Sequence, residues 1–258
     1  MVTLNFKILK VVFAVAASFV VNLAWQNVWH VTTLLDLPRQ TVFNDSVRDL
    51  LLALTVSIVL SIVVRPKEQG SFLGLESNVI RGFSVAVISV LPIYIVFPII
   101  GTINPDLSFP LLVRKSFLPG FIEELLCRAF MFGLFFRYAK IGFLWAVLFP
   151  SVLFGLGHIY QGHDIVSCLA AFGVTFIGAV YFSWMYAAWN FNLWVPIGLH
   201  ILMNAAWVIF NVTGTEDAAG GLISNIVRVL SIALAILITI YYHKKKGEKV
   251  FDYPIWRF

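Results

Sequence analysis

Charge is scarce in this chain. Asp, Glu, Lys and Arg make up 12% of its 258 residues, about half the share of an ordinary soluble domain, and the mean hydropathy is +0.91. That scarcity excludes a typical soluble fold and predicts an integral membrane protein. Cysteine is scarcer still. Cys127 and Cys168 are the two in the chain and form no CxxC pair, which excludes a disulfide framework or a cysteine-rich metal site and leaves two buried thiols. There is no Gly-x-Ser-x-Gly elbow for a serine nucleophile and no His-Glu-x-x-His for a zincin. No linker, low-complexity tract or soluble module interrupts the chain, so residues 1–258 read as a single membrane domain.

What is present is a series of apolar runs close to the ~20 residues a helix needs to cross ~30 Å of hydrocarbon. Eight are legible, at roughly 11–30, 50–64, 82–103, 116–136, 141–158, 165–189, 193–212 and 222–242. The expected fold is therefore all-α and polytopic, about eight transmembrane helices in one bundle with a polar cavity inside it. The second run is the weakest. Its 15 residues between Asp49 and Arg65 give only about 22 Å of helix, so it calls for local thinning or for Arg65 to snorkel. The first run has a rival reading as a signal peptide, because Lys7 and Lys10 precede it. Its apolar sequence continues to Trp29, which favours a retained helix.

Basic residues orient the bundle. With an inner N-terminus and eight spans, twelve of the 18 Lys and Arg, from Lys7 to Arg257, fall on the side of the termini, against Arg39, Arg48, Arg114 and Lys115 on the other. Cytoplasmic loops carry such an excess, so both termini are expected in the cytoplasm, most simply at the plasma membrane. The net charge of +5 then reads as topology and affinity for an anionic lipid bilayer, with residues 244 to 249 a solvated tail. It is not a footprint for nucleic acid.

Against this background the stretch Phe121-Ile-Glu-Glu-Leu-Leu-Cys-Arg128 stands out. A charge at a helix centre costs about 2.5–3.5 kcal/mol on insertion scales, so these three must face protein or a wet cavity and pair. Glu124 and Arg128 are one turn apart and can do so on one face. Glu123, rotated about 100° from Glu124, is left as the carboxylate available for general base or acid work. Two further polar sites lie within spans: His158, closing Phe154-Gly155-Leu156-Gly157-His158, and His200 with Asn204 one turn on. The flanking glycines Gly155 and Gly157 are expected to admit a second helix. His30, His163 and His243 fall at run ends or in loops, and Arg228 reads as snorkelling or paired.

Taken as chemistry, the set comprises Glu123, Glu124, Arg128, His158, His200 and Asn204. It can activate a water, move its proton and donate to an oxyanion. Zinc is an alternative, with Glu123, His158 and His200 as three ligands and water as the fourth. A membrane immunity or scaffold protein that keeps the polar cluster without turnover, and a proton-coupled transporter, are other readings. No repeat of the cluster between the two halves supports the transporter.

The order Glu123-Glu124-x-x-x-Arg128, Phe154-x-x-x-His158, His200-x-x-x-Asn204 resembles the CPBP family of intramembrane proteases, the Abi or CAAX-protease family, over residues 116–210. The resemblance implies an eight-helix membrane fold with a catalytic core in that segment. It also implies endopeptidase activity on a membrane-associated peptide or protein, of CAAX type or of bacteriocin or signal-peptide type. By resemblance Glu123 activates water with the help of His158, His200 and Asn204 stabilise the oxyanion, and Glu124 and Arg128 orient the site. The family is described both as metal-dependent and as a metal-free glutamate protease. One tension is geometric: counted from these boundaries, Glu123 and His200 enter from opposite sides and end about 10 Å apart in depth.

Overall fold

A computed structural model describes residues 2–38, 41–212 and 221–256. Arg39 and Arg257 of the charge count lie outside the described residues. Of the described residues, 78% are helical. Helix α1 (Val2–Leu34) is followed by α2 (Val42–Leu60), whose N-terminus is capped by the Thr41 hydroxyl accepting the Asn44 N–H at 3.2 Å. A short α3 (Gln69–Leu73) leads to α4 (Val79–Ser89) and α5 (Leu91–Ile100), bent by 42° where Pro92 removes a backbone donor. After β1 (Thr102–Ile103), α6 (Phe109–Leu112) opens a helical run that continues without a break to Tyr138. Within it, α7 (Leu118–Glu124) is flanked by the π-helical segments Val113–Phe117, Leu125–Phe132 and Leu134–Tyr138. Then come α8 (Phe143–Leu156), α9 (Ile165–Ala188), α10 (Trp194–Ile209), β2 (Phe210–Asn211) and α11 (Leu222–Lys246). The two short strands pair antiparallel, with Thr102 opposite Asn211.

Each of the eight apolar runs is helical over most of its length. Among the described residues, four helical stretches are long and apolar enough to cross a membrane, and the bent α4–α5 pair makes a fifth. The remaining three are α2, the run from Phe109 to Tyr138, and α10. α2 and the run from Phe109 to Tyr138 interrupt their apolar sequence with clustered carboxylates and arginines, and α10 has only 16 residues, about 24 Å. The polar machinery thus resides on helices that other helices must shield. The π-helical segment Leu125–Phe132 is buried at every residue, and it forms the centre of the main core with Leu134, Phe135 and Phe136.

Several expectations are corrected here. The weak second span gains length at its start: α2 begins at Val42 and its 19 residues give about 28 Å. It can begin there because Arg48 and Arg114 pair with Asp49 and Asp45. Arg65 is exposed and pairs with Glu68 in the loop after α2. Residues 244 to 249 are exposed, as expected of a solvated segment, but the chain does not end there in solvent. Lys244, Lys245 and Lys246 end α11, and beyond Gly247 (φ 70°) the chain folds back. There the Phe143 and Leu144 N–H groups donate to the carbonyls of Pro254 (2.9 Å) and Ile255 (3.2 Å), satisfying orphan donors at the start of α8. The Phe251 and Tyr253 rings pack on Phe136. His243 is likewise not at a solvated end. It is buried, 2.9 Å from the Ala188 carbonyl through Nε2 and 3.3 Å from Glu248 through Nδ1.

Candidate active site

The site is made where α7 meets α10. Ser116, Gly120 and Glu124 recur every four residues and so share one helix face. The Ser116 hydroxyl donates to the Ile201 carbonyl at 2.7 Å. One turn later, a Cβ on Gly120 would fall 2.6 Å from Ile201 Cγ1 and 2.9 Å from its backbone nitrogen, so only glycine lets the helices come this close. The next turn therefore lies against His200. Sequence reading missed Ser116 and Gly120; their small-x-x-x-small spacing, running straight into Glu124, was the available signal. On its other side α10 is seated on α4 by Gly82 against Trp194 and Gly198 against Ala86. Its entry is held by the Trp194 indole N–H donating to the Leu75 carbonyl at 2.9 Å.

His200 meets both glutamates. Its Nδ1 is 2.7 Å from Glu124 Oε1 and its Nε2 is 3.9 Å from Glu123 Oε2. The predicted pair is present: Arg128 Nε lies 3.1 Å from Glu124 Oε2, with both side chains sealed from solvent. The contact is poorly aligned, however, and among the described residues none of the three guanidinium nitrogens completes a hydrogen bond. Arg128 also lies 4.6 Å and 5.3 Å from the ring centroids of Phe154 and Phe182. Its cation is held by charge and by aromatic faces, not by a bidentate fork. Glu123 is the more open carboxylate, its side chain 17% exposed. Asn204 is half-buried one turn beyond His200.

His158 sits in the turn after α8, half-buried, with Nδ1 2.7 Å from the Phe154 carbonyl and its ring against that of Phe154. Among the described residues it makes no ion-pair contact with either glutamate, and the imidazole that Glu123 meets is that of His200. Gly155 admits the Phe172 ring of α9 as expected, whereas Gly157 faces only the carbonyls of its own helix. The depth tension disappears because the fourth run begins at Phe109, not 116. Glu123 is thus carried further into the bundle, to the level of His200. His30 is exposed on α1. Arg228 rests on the Trp207 ring at 4.8 Å.

The residues do not fit a zinc centre. Among the described residues no three His, Cys, Asp or Glu side chains are grouped to hold a metal ion. His158 Nδ1 is engaged by the Phe154 carbonyl and His200 Nδ1 by Glu124, which leaves Nε2 as the free nitrogen of each ring, but Glu123, His158 and His200 are not assembled as a set.

A second charged group, absent from the sequence reading as a cluster, flanks the site. Arg48 contacts Asp49 at 2.6 Å and Asp45 at 3.8 Å, and Arg114 Nε donates to Asp45 Oδ2 at 2.8 Å. Arg48 also lies over the Trp29 ring, joining α1 to the cluster. Asp49 is within electrostatic reach of Glu123. A cavity of about 540 Å³ opens beside Arg114, between Thr41 and Val42 of the α2 entry and Ser108, Pro110 and Leu111 of the α6 turn.

Comparison with known proteins points the same way. Residues 105–206 match the family described as type II CAAX prenyl endopeptidase Rce1-like. A Bacillus subtilis (strain 168) protein named "Putative membrane peptidase YdiL" is 34% identical over 103 residues, 40% of this chain; the match spans only 38% of that relative's length. No solved structure matches. The matched segment runs from the loop before α6 into α10 and contains all seven named residues of the three sequence boxes. Over that segment, about 40% of its length, the chain is similar to the Rce1-like type II CAAX prenyl endopeptidase family.

Proposed function

We propose that this protein is an intramembrane endopeptidase that hydrolyses a peptide bond with a water activated by Glu123. Its substrate is a membrane-associated peptide or protein, of the CAAX or the bacteriocin and signal-peptide kind. The observation that carries this reading is the asymmetry of the two adjacent glutamates. Glu124 is sealed and engaged by Arg128 and His200, while Glu123 is partly open and faces an imidazole. A scaffold would gain nothing from the open carboxylate, whereas a general base must reach its water. The Asn204 amide, one turn beyond His200 on α10, would donate to the oxyanion that forms at the carbonyl. No step is routed through a metal, since the donor set does not group. The basic excess on the side of the termini supports a plasma-membrane protein with both ends cytoplasmic.

The test is cleavage of a peptide library by purified protein in detergent, with Glu123→Gln alongside. Wild type should cut a subset of peptides, and the variant should fold but lose turnover by at least about 100-fold. Equal cleavage by both would overturn the assignment of Glu123; no cleavage by wild type of any membrane-associated peptide would overturn the peptidase reading.

A further inference from the structure

The position of His200 between two carboxylates carries more than its place in a motif. Glu124 Oε1 and His200 Nδ1 are 2.7 Å apart, a charge-assisted hydrogen-bond distance. Arg128 Nε stands 3.1 Å from the other Glu124 oxygen in a sealed environment, so Glu124 is the anionic partner and can only accept. An acceptor there calls for the donor to be His200 Nδ1. When the imidazole is neutral its lone pair lies on Nε2, and that atom faces Glu123 Oε2 across 3.9 Å. This separation is too long for a direct hydrogen bond, but it suits two acceptors that share one water, each about 2.8 Å from its oxygen. The aromatic wall is Phe182, whose ring centroid lies 5.7 Å from that of His200. The other charges acting on the pair are Arg128 and, through Glu123, Asp49 of α2.

We infer that Glu124 is a positioning residue that holds His200 with its proton on Nδ1, so that His200 Nε2 and Glu123 together hold the attacking water. The inference rests on the peptidase reading and differs from the role that resemblance implies for His200, because a bare Nε2 accepts from water and cannot donate to an oxyanion. In the step, one water O–H is held by His200 Nε2 and the other is given to Glu123 Oε2 as the water oxygen bonds to the carbonyl carbon. The carbonyl π pair moves to its oxygen. Glu123 then returns that proton to the amide nitrogen as the carbon–nitrogen bond breaks, leaving acid and amine products with Glu123 ionised again.

Nitrogen NMR of 15N-histidine-labelled protein in detergent, without substrate, tests the geometry. The His200 signals are identified by their loss in His200→Gln. The expected wild-type result at neutral pH is Nδ1 protonated and Nε2 bare, shifting towards Nε2–H in Glu124→Gln. A wild-type His200 protonated at Nε2 alone overturns the inference, whether or not the variant folds. In the peptide assay, Glu124→Gln should lower kcat at least tenfold with KM within about twofold, and Glu124→Asp, which keeps the charge, should retain more of kcat. An unchanged kcat with a raised KM would also overturn it. The spectrum is read with no substrate present, so it stands or falls separately from the demonstration of proteolysis.

Discussion

Glu124 and Arg128 show how much one buried pair can control. Among the described residues Arg128 has no complete hydrogen bond, and it stays in place by its charge on Glu124 and by the Phe154 and Phe182 faces. Arg128→Ala leaves a sealed carboxylate without its cation, and the expected cost is about 3–5 kcal/mol, seen as lower folded yield and an earlier melt in detergent. The double replacement Glu124→Gln with Arg128→Met removes both charges and should recover yield while activity stays low. A single variant that accumulates and melts like wild type would show that the pair contributes no stability. His158 offers a second contrast. Its Nδ1 is bonded to its own helix, so His158→Ala should leave folding intact, and the same peptide assay reads whether its ring acts on turnover. A fall of about 100-fold in kcat is expected if it completes the water or leaving-group chemistry, and cleavage at the wild-type rate would remove it from the site.

Among elements, the contact between α7 and α10 decides whether the site exists. Replacing Gly120 by Leu pushes carbon atoms into Ile201, where even a Cβ has no room. Overpacking of this kind costs about 1–3 kcal/mol. It should also move His200 off Glu124, so activity should fall more than stability does. Ser116→Ala removes one buried hydrogen bond to the same residue and should cost only about 1 kcal/mol, with a matching small change in kcat. Melting and turnover measured together on the two variants check the ordering; equal losses from both would mean that Gly120 is not the point of close approach.

The whole molecule adds two expectations. The segment after Gly247 closes over the start of α8 and packs its aromatic rings on Phe136, at the end of the buried run that also bears Arg128. Truncation after Gly247 should lower the thermal midpoint with little effect on KM, as measured by a melt and by peptide cleavage, since the tail touches the core and not Glu123. Metal chemistry is the other whole-protein question. Glu123, His158 and His200 do not form a metal-holding group, so purified active protein should carry no stoichiometric zinc by mass spectrometry and should keep its activity after chelation. About one zinc per chain, with cleavage lost to chelator and restored by zinc, would reverse that expectation.

Much of this was legible in the one-dimensional chain because a hydrocarbon solvent punishes every misplaced charge. The eight helical runs, the one-turn pairing of Glu124 with Arg128 and the shared face of His200 and Asn204 all follow from apolar length and from 3.6-residue spacing, which are local properties. Contacts between distant segments follow from neither. That α2 starts at Val42 depends on Arg114, from another helix, neutralising Asp45. That Glu123 lies level with His200 depends on its helix starting back at Phe109, through α6 and the π-helical turn Val113–Phe117, and hydrophobicity does not register a change of helical type. The choice of His200 over His158 as the imidazole beside Glu123 was made by Gly120 and Ser116 drawing α10 against α7. Sequence determined which groups had to be hidden from lipid, whereas tertiary packing decided which of them meet, because a hydrogen bond is settled within a few tenths of an ångström and only helix-to-helix approach sets distances that fine.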